Sequence, residues 1–131
     1  MLPQTFHAQI DKPRLVAALA DAQRNTHGRI YVYVSHRPIT DAMASAQQRF
    51  HKLGLSRLHE HRASVLLYFA PKTHKFAILG EKAIHERCGE AYWTSLAEKL
   101  SQDLKTGDLM PALLNAIASL KETLEAHFPV K

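Results

Sequence analysis

A chain of 131 residues can hold one domain with a single core, and 46% apolar with 22% charged residues is ordinary for a soluble globular protein, which excludes a disordered or fibrous chain. The formal charge of +5 is scattered, without a run of five basic residues, which argues for a solvated surface and against a nucleic-acid patch. Cys88 is the single cysteine, so an intrachain disulfide and a multi-cysteine zinc site are excluded.

The first helix is expected to start near Asp11, a good N-cap, with Pro13 in its first turn. Leu15, Ala18, Leu19 and Ala22 make one buried stripe, and Gly28 suits a left-handed position after the helix. The run IYVYV, Ile30 to Val34, follows as a strand, apolar on both alternating faces and therefore expected to be covered on both sides. A second helix is predicted from Thr40, with Met43, Ala46, Phe50 and Leu53 inward and Gly54 at its end. Val65 to Ala70 is a second doubly covered strand. The short connection Pro71 to His74 then leads to a third strand, Lys75 to Leu79, in an antiparallel hairpin. Two long helices end the chain. Tyr92, Trp93, Leu96, Leu100 and Leu104 pack one. Asp108 caps the other, with Leu113, Ile117, Leu120 and Leu124 inward and Phe128 and Pro129 at its end.

The order α-β-α-β-β-α-α predicts an α/β fold: a small mixed β-sheet, two parallel strands plus an antiparallel hairpin strand, sandwiched by helices, in one domain over residues 1–131. Strands one and two are joined through a helix and should run parallel, by a right-handed crossover. Arg29, Arg62, Ala63, Gly80 and Glu81 should then share one edge of the sheet, and Ser35, His36 and the Pro71 to His74 loop the other. The third strand fits either outside strand two or between it and strand one. The amino-terminal MLPQTFHAQIDKPRL lacks the apolar region of a signal peptide, and the apolar runs are too short to cross a bilayer. A cytoplasmic location without a membrane span is the default expectation.

Four segments, RFHKLGL (Arg49 to Leu55), RASVLLYFAP (Arg62 to Pro71), KFAILGEKAIHERCGEAYW (Lys75 to Trp93) and KTGDLMPALLNAI (Lys105 to Ile117), resemble in order and spacing the TPM domain, also called the TPM phosphatase domain. The family occurs in chloroplast thylakoid proteins tied to photosystem II repair and in many bacterial proteins. The resemblance spans nearly the whole chain and implies a mixed sheet between helices. It also implies an association with divalent metals, with acid phosphatase activity in some plant members and accessory or assembly roles in others. The sequence departs from the family pattern at one sheet edge. Gly80-Glu81 stands where Gly-Asp is common, Ala83 where glycine is frequent, Arg62-Ala63 where Arg-Asn is common, and Arg29 where an acidic residue is usual. A hard cation needs several oxygen ligands. This edge keeps one carboxylate and gains a guanidinium.

Arg29, Arg62, Glu81 and His85 are therefore the candidate ligand-edge residues. Glu81 could serve as a metal ligand or general base. Its alternatives are pairing with Arg29 or Arg62, or favouring the dipole at the amino end of a helix near Ala83 to Cys88. We read it as an ion-paired remnant. His59 and His61, two apart and so on one side of an extended chain, form a second metal candidate with His85, of the kind that suits zinc. No His-x3-His pair is present, and surface histidines are the plainer reading. Ser35 and His36 are adjacent, hence on opposite faces of a strand and poorly placed for proton transfer. No G-x-S-x-G elbow, Walker A or Rossmann glycine pattern occurs. Cys88 has Arg87 and His85 nearby, which could lower its thiol pKa, but a small core residue is the simpler role.

These residues suggest a non-catalytic module binding a protein partner or a small anionic ligand, with no cofactor assigned beyond a candidate divalent metal (calcium, magnesium or zinc). The alternative, implied by the resemblance alone, is an acid-phosphatase-like hydrolase of phosphomonoesters. There a calcium, magnesium or zinc ion near Glu81 would activate water, and Arg62 would grip the phosphate.

Overall fold

A computed structural model describes residues 11–35, 37–53, 63–70, 75–105 and 109–130. Helix α1 (Lys12–Gln23) opens where Asp11 accepts the Arg14 N–H at 3.2 Å, satisfying one of the donors that a helix start leaves unpaired. Strand β1 (Arg29–Val34) and helix α2 (Ala42–Leu53) follow, and Asp41 accepts the Ala44 N–H at 3.0 Å. Asp41 is a stronger cap than Thr40, so the helix begins just after it. Strands β2 (Ser64–Ala70) and β3 (Lys75–Gly80) come next. Then a short helix α3 (Lys82–Cys88) leads to the two long helices α4 (Glu90–Lys105) and α5 (Leu109–His127). Gly89, at φ 85°, makes the break between α3 and α4 in a backbone conformation that only glycine adopts without strain.

The sheet order is β1-β2-β3, with β2 parallel to β1 and antiparallel to β3. The mixed sheet and the element order are those expected, and β3 lies outside β2. Being central, β2 is buried at every residue. One face carries Ile30, Val65, Leu67 and Phe69 into the main core, against α4, α5 and α1. The other face carries Leu66, Tyr68, Ala70 and Ala77 against α2. Among the described residues no helix is long and apolar enough to cross a membrane.

Three local expectations change. β1 is covered only in part: Ile30 alone is fully buried, Val32 and Val34 pack half-buried against the main core, and α2, which sits over β2 and β3, leaves Tyr31 and Tyr33 half-buried on the other face. Met43 is 42% exposed, because α2 approaches the sheet through the small side chains of Ala42 and Ala46. Gly28 does not occupy a left-handed turn. It is where the chain passes Leu124 of α5, and a Cβ there would lie 2.5 Å from Leu124 Cδ2. Gly54 and Asp108 lie outside the described residues.

Candidate functional site

The register brings the expected strand ends together. Arg29 pairs with Ser64 across β1 and β2, and Val65 pairs with Gly80 across β2 and β3, which sets Glu81 beside Ser64. Arg62, His59 and His61 lie outside the described residues.

Glu81 links a strand to a helix. Its N–H donates to the Ser64 carbonyl at 2.9 Å, continuing the β2–β3 ladder by one rung. The reciprocal rung would need the Glu81 carbonyl, but that oxygen accepts the His85 N–H at 2.8 Å and begins α3. The side chain fills the gap: Glu81 Oε1 accepts the Ser64 N–H at 3.1 Å. A carboxylate with 5% exposure thus replaces a backbone carbonyl in the ladder. A buried N–H left without an acceptor would be costly, and this contact removes that cost.

The expected ion pair with Arg29 does not form. Arg29 Nη1 donates instead to the carbonyls of Thr26 at 3.1 Å and Gly28 at 2.7 Å, tying β1 to the turn before it. Both charges still act on Tyr31. Burial pushes its phenol above the ordinary range, the Arg29 charge works against that, and Glu81 adds to it.

His85, one turn into α3, is directed elsewhere. Its ring stacks on Trp93 at 5.7 Å with planes 3° apart, and its Nε2 lies 3.2 Å from Glu90 Oε1. Its carbonyl accepts from Trp93 Nε1 at 3.3 Å and from the Gly89 N–H at 3.1 Å. These contacts hold the α3–α4 corner, and Trp93 packs so close to Gly80 that a Cβ there would sit 3.0 Å from the indole.

Cys88 is half-buried, and burial pushes its thiol up more than Arg87 brings it down. Alkylation at pH 8 should accordingly be several-fold slower in the folded protein than in the same chain unfolded by urea. Equal rates would show an exposed, ordinary thiol.

Among the described residues, this edge does not offer the donor set of a divalent ion. The described residues offer one carboxylate, with one oxygen committed, and the buried Ser64 Oγ, which has no partner among them. Calcium takes six to eight oxygens. No group of three or more His, Cys, Asp or Glu among the described residues could hold a metal.

The sequence matches the TPM domain over residues 4–123. The chain belongs to the TPM domain family. This TPM domain is similar to the BA42 protein of the psychrophilic bacterium Bizionia argentinensis, at 27% identity and a TM-score of 0.84 over 92% of this chain and 82% of that one. The N-terminal domain of the cg2496 protein of Corynebacterium glutamicum shares the fold, at 17% identity and a TM-score of 0.68 over 95% of this chain and 80% of that one. No curated protein matches the sequence.

One group of side chains in the TPM domain escaped the sequence reading. Arg37, Arg49 and Lys52 line a common cleft with Tyr33 and Ser35, beside α2. The available signal was the spacing of Ser45, Gln48, Arg49 and Lys52, a polar helical face next to the apolar one.

Proposed function

We infer that this TPM domain works by binding a small anionic ligand and not by metal-assisted hydrolysis at the Glu81 edge. The observation that carries the reading is the Ser64 N–H bond to Glu81 Oε1, which gives the carboxylate a structural task at a strand–helix joint. A general base or metal ligand needs free lone pairs aimed at solvent or substrate. This carboxylate is buried and faces a backbone amide. The +5 charge supports an anionic ligand, as do the three cations that line the cleft beside α2.

The test is an aryl phosphate assay with magnesium, calcium, manganese or zinc, on wild type and Glu81→Gln. The glutamine retains an acceptor for the Ser64 N–H, so the fold is kept. The expected result is a rate at the level of buffer for both. A metal-dependent rate in the wild type that disappears in Glu81→Gln would overturn the reading.

A further inference from the structure

Helix α2 covers β2 and β3, so the sheet face along the outer strand β1 is left open beside it. There the flank of α2 and the Tyr33 side of β1 enclose a cleft of about 360 Å³. Its floor is a pair of direct ladder partners, Tyr33 and Tyr68, with ring centroids 5.4 Å apart. Its wall is Ser45, Gln48, Arg49 and Lys52, at the i, i+3, i+4, i+7 spacing of one helical face.

Three cations converge on this cleft from two elements. Arg49 is held with its guanidinium carbon 4.3 Å from the centroid of the Tyr33 ring, which removes part of its rotamer freedom before any ligand arrives. Lys52 follows one turn later. Arg37 comes from the segment after β1, where the buried Ser35 anchors it: the Ser35 N–H donates to the Phe69 carbonyl at 2.8 Å, and Ser35 Oγ accepts the Arg37 N–H at 3.2 Å. Among the described residues the lining contains no carboxylate, and none of the three cations forms an ion pair with one of them. The helix dipole accounts for a lysine in the last turn of α2. It does not account for Arg37, or for an arginine laid over a tyrosine. Converging like charges repel, and a bound dianion would turn that repulsion into attraction.

We propose that this cleft binds a small phosphate monoester, its phosphate gripped by Arg37, Arg49 and Lys52, an inference that rests on the binding reading above. Arginine offers the forked donor pair that matches two phosphate oxygens, and lysine adds a point charge. The hydroxyl of Ser45 and the amide N–H of Gln48 suit the remaining oxygens. The volume lies at the lower end of small-molecule sites and exceeds what a bare phosphate ion fills.

Titration of isotope-labelled protein with inorganic phosphate and with phenyl phosphate, followed by amide chemical shifts, tests this. Saturable shifts should centre on Tyr33, Ser35, Arg37 and Gln48, with phenyl phosphate the tighter ligand. Arg49→Ala and Lys52→Ala should each weaken it about tenfold, while the undisturbed amide spectrum shows that both remain folded. Arg49→Lys, which keeps the charge and loses the fork, should recover only part of the affinity.

Absence of saturable shifts up to about 10 mM, shifts centred on Gly80 and Glu81, or unchanged affinity in both Arg49→Ala and Lys52→Ala would overturn the site. Equal affinities for the two probes would overturn the monoester and leave the free ion as ligand. Phenol release that is lost in Glu81→Gln would refute the non-catalytic reading, and the shift map would still report independently on the cleft.

Discussion

Thr26→Val should destabilise the domain by about 2–3 kcal/mol, the largest effect we expect from a near-isosteric change. Thr26 is 1% exposed and sits where the chain between α1 and β1 meets the end of α5. Its Oγ1 accepts the Gly28 N–H at 3.0 Å, and its hydroxyl lies within donating reach of the carbonyls of Leu124 at 2.9 Å and Phe128 at 2.6 Å. Those carbonyls lie at the end of α5, Leu124 in its last turn and Phe128 just after it. They keep other donors in the variant: the Phe128 N–H reaches Leu124 and the His27 N–H reaches Phe128, each at 2.8 Å. The Gly28 N–H has no such reserve, and a buried donor without an acceptor costs about 1–3 kcal/mol. Valine preserves shape and branching, so the loss isolates the hydroxyl. For a domain of this size the change corresponds to a fall in Tm of about 10 °C, measurable by calorimetry. A shift below about 2 °C would mean that the hydroxyl contributes nothing net.

Glu81→Ala should cost about 1–3 kcal/mol, and Glu81→Gln much less. Alanine leaves the Ser64 N–H facing a buried void, whereas glutamine offers an oxygen at the same reach. Urea unfolding of the three proteins would separate the roles. An ion-paired or metal-binding carboxylate would be damaged by both changes alike, because both remove the charge. A structural acceptor is damaged by alanine only. If glutamine proved as harmful as alanine, the charge itself would be the stabilising element, and the ladder account of Glu81 would fail.

The architecture was largely legible, and the residues show why. β2 is a short apolar run without polar alternation, the pattern of a strand covered on both faces, and it is buried throughout. Asp11 and the stripe Leu15, Ala18, Leu19 and Ala22 marked α1 because capping and 3.6-residue periodicity are local properties. The convergence of Arg29, Ala63, Gly80 and Glu81 followed from strand direction alone. What failed depended on neighbours. Gly28 reads as a helix terminator until Leu124, 96 positions away, is seen against it. Met43 belongs to a convincing apolar stripe, yet α2 rests on its alanines. Glu81 could be assigned to Arg29 by charge alone, because the hydrogen bonds that occupy Arg29 come from carbonyls that every residue carries.

By itself the sequence determined the helices, the strands and their directions, most of the buried stripes, and the family to which the chain belongs. Periodicity, caps and glycines act within a few residues, and a crossover helix forces parallel strands. Only the tertiary structure decided what each polar side chain does. It gave Glu81 a ladder amide, Arg29 a pair of carbonyls and His85 an indole, and it set Arg37 beside Arg49 and Lys52 in one cleft. Hydrogen bonds and Coulomb forces act over a few ångströms in space without regard to separation along the chain, so these pairings exist only once the sheet and α2 have fixed the distances.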